Sequence, residues 1–231
     1  MSSELPNPLD RDAIRQMRRS YGEAGLHESA LHTNPLEQFS RWLAEAALNP
    51  VIVEANAMVL STIEADQNGD VAPASRTVLL KDVDGECFTF YTNYQSAKGR
   101  QIQFNPHVAL LFPWYAMERQ VIVKGSAVKV AQEVTDQYFA SRPWGSQIGA
   151  WASSQSDELA SREVLEARYQ EFAERYPEGS SVPTPPHWGG FAVTPRSIEF
   201  WQGRYSRLHD RIIFSRDEQS PSGWEIGRLY P

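Results

Sequence analysis

At 231 residues, with 41% hydrophobic and 22% charged side chains, the chain has the make-up of one globular domain with a real core and room for helical additions. A formal net charge of −7 argues against general nucleic-acid or membrane-surface binding, so neither partner is expected and any anion site must be a local basic pocket. The one cysteine, Cys87, excludes an internal disulfide and reads as a small core residue; with no membrane-length apolar run and no signal-peptide core, a cytoplasmic protein is expected.

Residues 1–9 read as a mobile arm. Residues 10–25 read as a short helix, opened by Asp10 and Asp12 and closed by Gly25. It carries Arg15, Arg18 and Arg19, then Tyr21, as a solvated basic face or as a segment that folds over an anionic ligand. After a loop over 26–33, Asn34-Pro35-Leu-Glu37 is a helix opening, and Leu36, Phe39 and Leu43 follow helical spacing.

From Ala57 the pattern becomes that of strands. Residues 58–64 and 75–82 are predicted strands, with a turn at Asp66-Gln-Asn-Gly69 between them. Arg76 and Lys81 lie an odd number of positions apart, so an ideal strand sends them to opposite faces. A turn at Asp84-Gly85, a strand over 87–92 and a helix over 96–104 come next. Strands over 107–115 and 119–130 follow, joined near Ala116-Met117. Helices are predicted over 132–141 and 146–151, and a longer one opens at Ser156-Asp157-Glu158, with Leu165, Tyr169, Phe172 and Tyr176 as its apolar stripe. Strands over 188–193, 197–202, 208–214 and 223–229 finish the chain. The expected fold is mainly β with peripheral helices, a closed or nearly closed antiparallel barrel.

Within the last strands Arg207, His209 and Arg211 alternate, so an extended strand puts all three on one face, with Leu208 and Ile212 on the core face. Asp210 shares that core face, which is odd unless it pairs with one of these arginines or sits at a bulge. The ridge is either a polar outer face or, beside Phe200-Trp201-Gln202, a site for a flat phosphorylated ligand. There is no Gly-x-Gly-x-x-Gly, no phosphate loop, no zinc-type histidine spacing and no nucleophile elbow. What remains is a scatter of phosphate-capable residues, Arg76, Lys81, Lys98, Arg142, Ser146, Ser156, Arg207 and Arg211, with Tyr91, Tyr138 and Trp201 among them. These are expected to meet in one cavity, the 207–211 ridge close to Arg76, Lys98 and Arg142.

The sequence resembles the pyridoxine/pyridoxamine 5′-phosphate oxidase family over roughly residues 12–231. The most specific element is Glu199-Phe-Trp-Gln-Gly-Arg-Tyr-Ser-Arg-Leu-His-Asp-Arg211. Arg76-Thr-Val-Leu-Leu-Lys81, Phe90-Tyr-Thr-Asn93, Leu111-Phe-Pro-Trp114, Glu118-Arg-Gln-Val121, Ser146-Gln-Ile-Gly-Ala-Trp151 and Arg228-Leu-Tyr-Pro231 match in the same order. The resemblance implies a Greek-key split β-barrel over 26–231, with helices inserted at about 132–176 and residues 1–25 as arm and lid. It implies a homodimer with FMN at the interface. It also implies oxidation of pyridoxamine or pyridoxine 5′-phosphate to pyridoxal 5′-phosphate, with O2 reduced to H2O2.

Position by position, the resemblance implies FMN contacts at Arg76, Thr77, Val78, Lys81, Tyr91, Thr92, Lys98, Gln120, Gln155, Ser156, Trp201 and Arg211. It implies substrate contacts at Lys81, Tyr138, Arg142 and Ser146, with Arg207 and His209 over the substrate ring as the catalytic pair. Arg18 and Tyr21 match a segment that covers bound substrate. The chain departs from the family pattern at Ala97, where an arginine is frequent, at Ser20, and at Tyr230 in the tail. A split-barrel flavoprotein with another substrate, and a non-catalytic FMN or pyridoxal-phosphate carrier, are the alternatives.

Overall fold

The computed structural model describes residues 20–22 and 24–231. Most of the predicted N-terminal helix, with Arg15, Arg18 and Arg19, lies outside the described residues; residues 20–22, 24 and 25 are not helical. Nine strands form one antiparallel sheet: β1 (Ala57–Ala65), β2 (Val71–Leu79), β3 (Asp82–Val83), β4 (Phe88–Asn93), β5 (His107–Trp114), β6 (Arg119–Lys129), β7 (Trp188–Gln202), β8 (Asp210–Arg216) and β9 (Trp224–Leu229). Five α-helices accompany them among the described residues: α1 (Pro35–Leu48), α2 (Ala97–Phe104), α3 (Gln132–Ala140), α4 (Trp144–Ala152) and α5 (Arg162–Arg175).

The strand order β2-β1-β5-β6-β7-β4-β3 leaves the ladder open at β2 and β3, with β8 and β9 added beside β7. The barrel is therefore split rather than closed. β7 causes the split. The predicted strands over 188–193 and 197–202 are one long strand, whose first half pairs with β4 and whose second half pairs with β8. Along the other edge β6 follows β7 from end to end, with a register shift at Lys124/Gly125 where it passes Pro195. Proline has no N–H to give a ladder, so it sits at the irregularity. A Cβ on Gly125 would lie 2.2 Å from the Thr194 carbonyl oxygen, so that approach requires glycine.

Alternation fixes which faces are inside. Every second residue of β5 is buried, from Val108 to Trp114, and the same holds along most of β1. Phe39 of α1 inserts between Phe88 and Phe112, with ring centroids 4.9 and 4.7 Å away. Asn34 caps α1 by accepting from the Leu36 N–H at 2.9 Å, and Ser96 accepts from Gly99 to open α2. A second apolar cluster gathers Phe139, Ile148, Val182 and Trp188 with Tyr169, Phe172 and Tyr176, seating α3–α5 over the Trp188 end of β7.

Three further expectations are corrected. α5 starts after Ser161, and Ser156 lies in a turn with φ of 77° instead of capping a helix. Cys87 is only half-buried, its Sγ 3.3 Å from the Thr194 hydroxyl. Arg207, His209 and Arg211 do not share a strand face: residues Tyr205–Arg207 form a 3-10 turn and β8 begins at Asp210. Leu208 is 65% exposed, whereas Asp210 and Ile212 point inward.

Candidate active site

A cleft of about 690 Å3 opens between β2, β4 and the helical layer. The sheet contributes Thr77, Val78, Lys81, Tyr91 and Thr92; α2 contributes Lys98; α3, α4 and the loops around them contribute Tyr138, Arg142, Ser146 and Gln155. Lys81, just past the end of β2 at Leu79, lies an even number of positions from Thr77 and joins it in the cleft, whereas Arg76, an odd number away, does not line it. Three cations line this space, and no carboxylate is among its lining residues.

Two of these cations, Lys98 and Arg142, are poorly satisfied. Lys98 is buried, and its ammonium donates to the Gln155 amide oxygen at 3.0 Å, an oxygen that the Thr92 hydroxyl also donates to. Burial, then the neighbouring Arg76 guanidinium, pushes the Lys98 pKa down. Arg142 lies over the Trp188 ring at 4.6 Å, its Nη1 is buried without a hydrogen-bond partner, and burial lowers its pKa too. A buried cation lacking a counter-ion is costly. These groups are arranged for an anion that arrives from outside. The aromatic side matches: Tyr91 stacks on Tyr138 at 3.9 Å and 20°, and on Trp188 at 5.4 Å and 13°. Phosphates beside a flat ring system suit this lining, so the residues present fit a flavin mononucleotide.

Arg76 stands next to the cleft rather than lining it. Its guanidinium donates to the Leu60 carbonyl, the Thr62 hydroxyl and the Gln101 side-chain oxygen at 3.1, 2.6 and 2.7 Å. Gln101 and Thr62, which hold it beside Lys98, carried no sequence signal beyond helix and strand pattern.

The remaining candidates gather elsewhere. Gln120, Trp201 and Arg211 form a row across β6, β7 and β8. Trp201 meets the His209 ring at 4.7 Å, and Tyr21 stands edge-on to both at 5.8 and 5.4 Å. Glu199 receives Arg211 through Nε at 2.8 Å and Nη2 at 3.1 Å. The His209 Nδ1 accepts from the Arg204 N–H at 3.1 Å, which puts the neutral ring's proton on Nε2. Burial, then Arg207, lowers its pKa from 6.5, so at neutral pH it is an uncharged N–H donor.

About 40 Å of strand contour separates Trp188 at the cleft from Trp201 at this ridge. Within one chain the two groups do not meet, contrary to the expectation of one cavity. The ridge is open instead: Arg207 is exposed and Tyr230 is 93% exposed. Backbone strain clusters at the same residues. The only non-glycine residues with positive φ among those described are Glu118, Ser156, Ser206 and Arg207, three of them at or beside candidates. Such conformations persist where the surroundings enforce them, and residue identity did not announce them.

A split barrel with a cationic, aromatic cleft defines a protein that binds phosphorylated aromatic ligands. Residues 44–176 match the family described as pyridoxamine 5′-phosphate oxidase, and residues 188–231 match the pyridoxine 5′-phosphate oxidase C-terminal dimerisation region. The chain is 49% identical over 229 residues to a pyridoxine/pyridoxamine 5′-phosphate oxidase of Streptomyces avermitilis, covering 96% of this chain and 99% of that one. It is 49% identical over 218 residues to the Burkholderia pseudomallei protein of the same name, covering 94% and 99%. Among solved structures, PhzG of Burkholderia lata 383, in complex with tetrahydrophenazine-1-carboxylic acid, superposes with a TM-score of 0.80 at 29% identity, over 91% of this chain and all of that one. A pyridoxamine 5′-phosphate oxidase-related, FMN-binding protein of Nostoc punctiforme shares the fold, with a TM-score of 0.66 at 16% identity, over 85% of this chain and 98% of that one. The chain belongs to the pyridoxamine 5′-phosphate oxidase family.

Proposed function

We propose that this protein is an FMN-dependent oxidase that converts pyridoxamine 5′-phosphate and pyridoxine 5′-phosphate to pyridoxal 5′-phosphate, with O2 reduced to H2O2. The observation that carries this reading is the pair of counter-ion-free cations, buried Lys98 and half-buried Arg142, beside the Tyr91–Tyr138–Trp188 stack. The 49% identity to named oxidases over nearly the whole chain supports it. No described helix is long and apolar enough to cross a membrane, and a cytoplasmic location belongs to the same reading.

Bound FMN supplies the hydride acceptor at N5 and the route for electrons to O2. The chain's own work is binding and orientation. Arg76, Lys98, Gln155 and Ser156 hold the cofactor's phosphate and ribityl chain, and Thr77, Val78, Lys81, Tyr91 and Thr92 line its course. Tyr138, Arg142 and Ser146, with Lys81, hold the substrate phosphate. Gln120, Trp201 and Arg211 contact the flavin from a second copy of the chain, whose Arg207 and His209 lie over the substrate ring, covered by Arg18 and Tyr21. A two-fold dimer makes this composite site twice. The match of residues 188–231 to a dimerisation region supports it, as do the exposed apolar residues of the ridge, Leu208 and Tyr230.

His209 orients the C4′ substituent as a neutral Nε2–H donor. Acid protonates it, removes Nδ1 as the acceptor for Arg204, and adds a charge beside Arg207. The pH profile of kcat/KM is therefore expected to fall on an acidic limb whose midpoint lies below 6.5, and His209→Asn is expected to abolish that limb. A limb that survives unchanged in the variant contradicts this role.

A second reading, oxidation of a different electron-rich ring, is favoured by the 0.80 TM-score to PhzG. Anaerobic titration separates the two. Under the proposed function the flavin band of the purified protein bleaches on adding pyridoxamine 5′-phosphate, and air restores it with release of peroxide. A band that persists overturns the proposal, and peroxide released on adding substrate excludes a non-catalytic carrier.

A further inference from the structure

The residues just after Tyr21 are tied down far more firmly than a surface segment needs. Arg228 of β9 spreads its guanidinium over three partners. Nε and Nη2 donate to the two Glu28 carboxylate oxygens at 2.8 and 2.9 Å, Nη1 donates to Asp210 Oδ1 at 2.5 Å, and Nη2 also donates to the Leu26 carbonyl at 2.8 Å. Asp210 Oδ2 accepts the Leu26 N–H at 2.9 Å and takes Arg204 at 3.4 Å. Leu26 is thus held by both its backbone groups while its side chain sits in the core, 7% exposed. Farther back, the Gly22 N–H donates to Glu118 at 2.8 Å. Tyr21 packs so closely on Gly203 that a Cβ there would lie 2.8 Å from its ring.

A lone exposed ion pair contributes little. Here one planar fork engages two carboxylates and a carbonyl at once, and both carboxylates answer electrostatically. The Arg228 hydrogen bonds hold the Glu28 pKa down to about 2. Burial raises Asp210, but the Leu26 N–H and the two arginines outweigh it. The cluster also joins two ends of one device. Asp210 is the first residue of β8, directly after His209, and Glu28 lies a few residues after Tyr21.

We propose that Glu28, Arg228 and Asp210 form a positioning clamp that docks the N-terminal segment on the C-terminal strands, so that Tyr21 stands against Trp201 and His209 and completes the wall of the substrate site. Its role in substrate binding rests on the proposed function; the docking does not. None of the three touches the reacting atoms. Glu28 and Arg228 act through Tyr21, and Asp210 acts through both Leu26 and the turn that carries His209. Arg228 therefore serves the site from the far end of the chain.

The test uses the full-length FMN-loaded protein and Glu28→Ala, with Glu28→Gln, which keeps one acceptor, as the graded variant. In Glu28→Ala the Gly22 and Leu26 amides are expected to exchange with solvent about tenfold or more faster. KM for pyridoxamine 5′-phosphate is expected to rise about 5- to 20-fold, with kcat and FMN content nearly unchanged, and Glu28→Gln to fall between. Unchanged amide exchange overturns the clamp. Faster exchange with unchanged KM overturns its part in substrate binding. If the unmodified protein fails to oxidise the substrate at all, the proposed function falls, while the exchange result still decides whether the clamp docks the segment.

Discussion

Replacing Arg207 with alanine is expected to lower kcat by about 100-fold or more while FMN remains bound. Ser206 and Arg207 are consecutive left-handed residues, φ 55° and 62°, in the turn between β7 and β8. Each such residue costs about 1–3 kcal/mol, a strain the fold retains only if the aim of the side chain is worth it. The turn throws Arg207 outward from the sheet instead of along it. A cation so placed approaches the substrate ring only when a second surface closes over it. Under the proposed function its contact is with the reacting end of the substrate, so its loss should appear in kcat and not in flavin absorbance. Steady-state turnover and the flavin spectrum of the same preparation read both, and undiminished turnover removes Arg207 from the mechanism.

Arg142→Ala is expected to raise KM for the phosphorylated substrate by about 100-fold or more, again with flavin retained. The sign of its stability effect is the more telling part. In the ligand-free protein Arg142 is half-buried and its Nη1 is shut off from solvent without a partner, so deleting it should leave the melting temperature unchanged or higher. With substrate or inorganic phosphate present, the unmodified protein should gain stability and the variant should not. Arg142→Lys should restore only part of the affinity, because a point charge cannot repeat the planar fork stacked on Trp188. Thermal melts with and without phosphate, beside KM measurements, check this; equal phosphate stabilisation in both proteins contradicts it.

Local chemistry made much of the fold legible. Asn34-Pro35 opens α1 and the Asp66–Gly69 turn joins β1 to β2, because a cap or tight turn is decided by a few neighbouring residues. The strand pair read over 107–115 and 119–130 matches β5 and β6 within a residue of their ends. The errors fall where distant structure overrode a local pattern. Arg207, His209 and Arg211 alternate as a strand would, yet the chain turns there, and only the resulting φ values disclose it. Ser156-Asp157-Glu158 has the composition of a helix start, but Asp157 faces Arg100 at 3.6 Å and the helix waits for Ser161. The two strands read over 188–193 and 197–202 are one, because the register shift at Gly125 absorbs Pro195 inside it.

The site was legible as chemistry and not as geometry. Cations and aromatics announced a pocket for phosphorylated rings; Asp210, read as either paired with a ridge arginine or at a bulge, pairs instead with Arg204 and Arg228. That cleft and ridge lie at opposite ends of β7 could not be read from residue types, since spacing along a sequence says nothing about which strand another strand will join. Nor could the Thr62–Gln101 support of Arg76 be read, because both residues are ordinary for their elements.

The composite site has a direct test in heterodimers of the two damaged chains. Co-expressed and co-purified, an Arg142→Ala chain and an Arg207→Ala chain should form dimers in which one site carries both lesions and the other carries neither. With random pairing, about a quarter of the unmodified activity should return, although each variant alone is nearly inactive. If the mixed population stays as inactive as its parents, cleft and ridge serve the same chain, and the account of a site built from two copies is wrong.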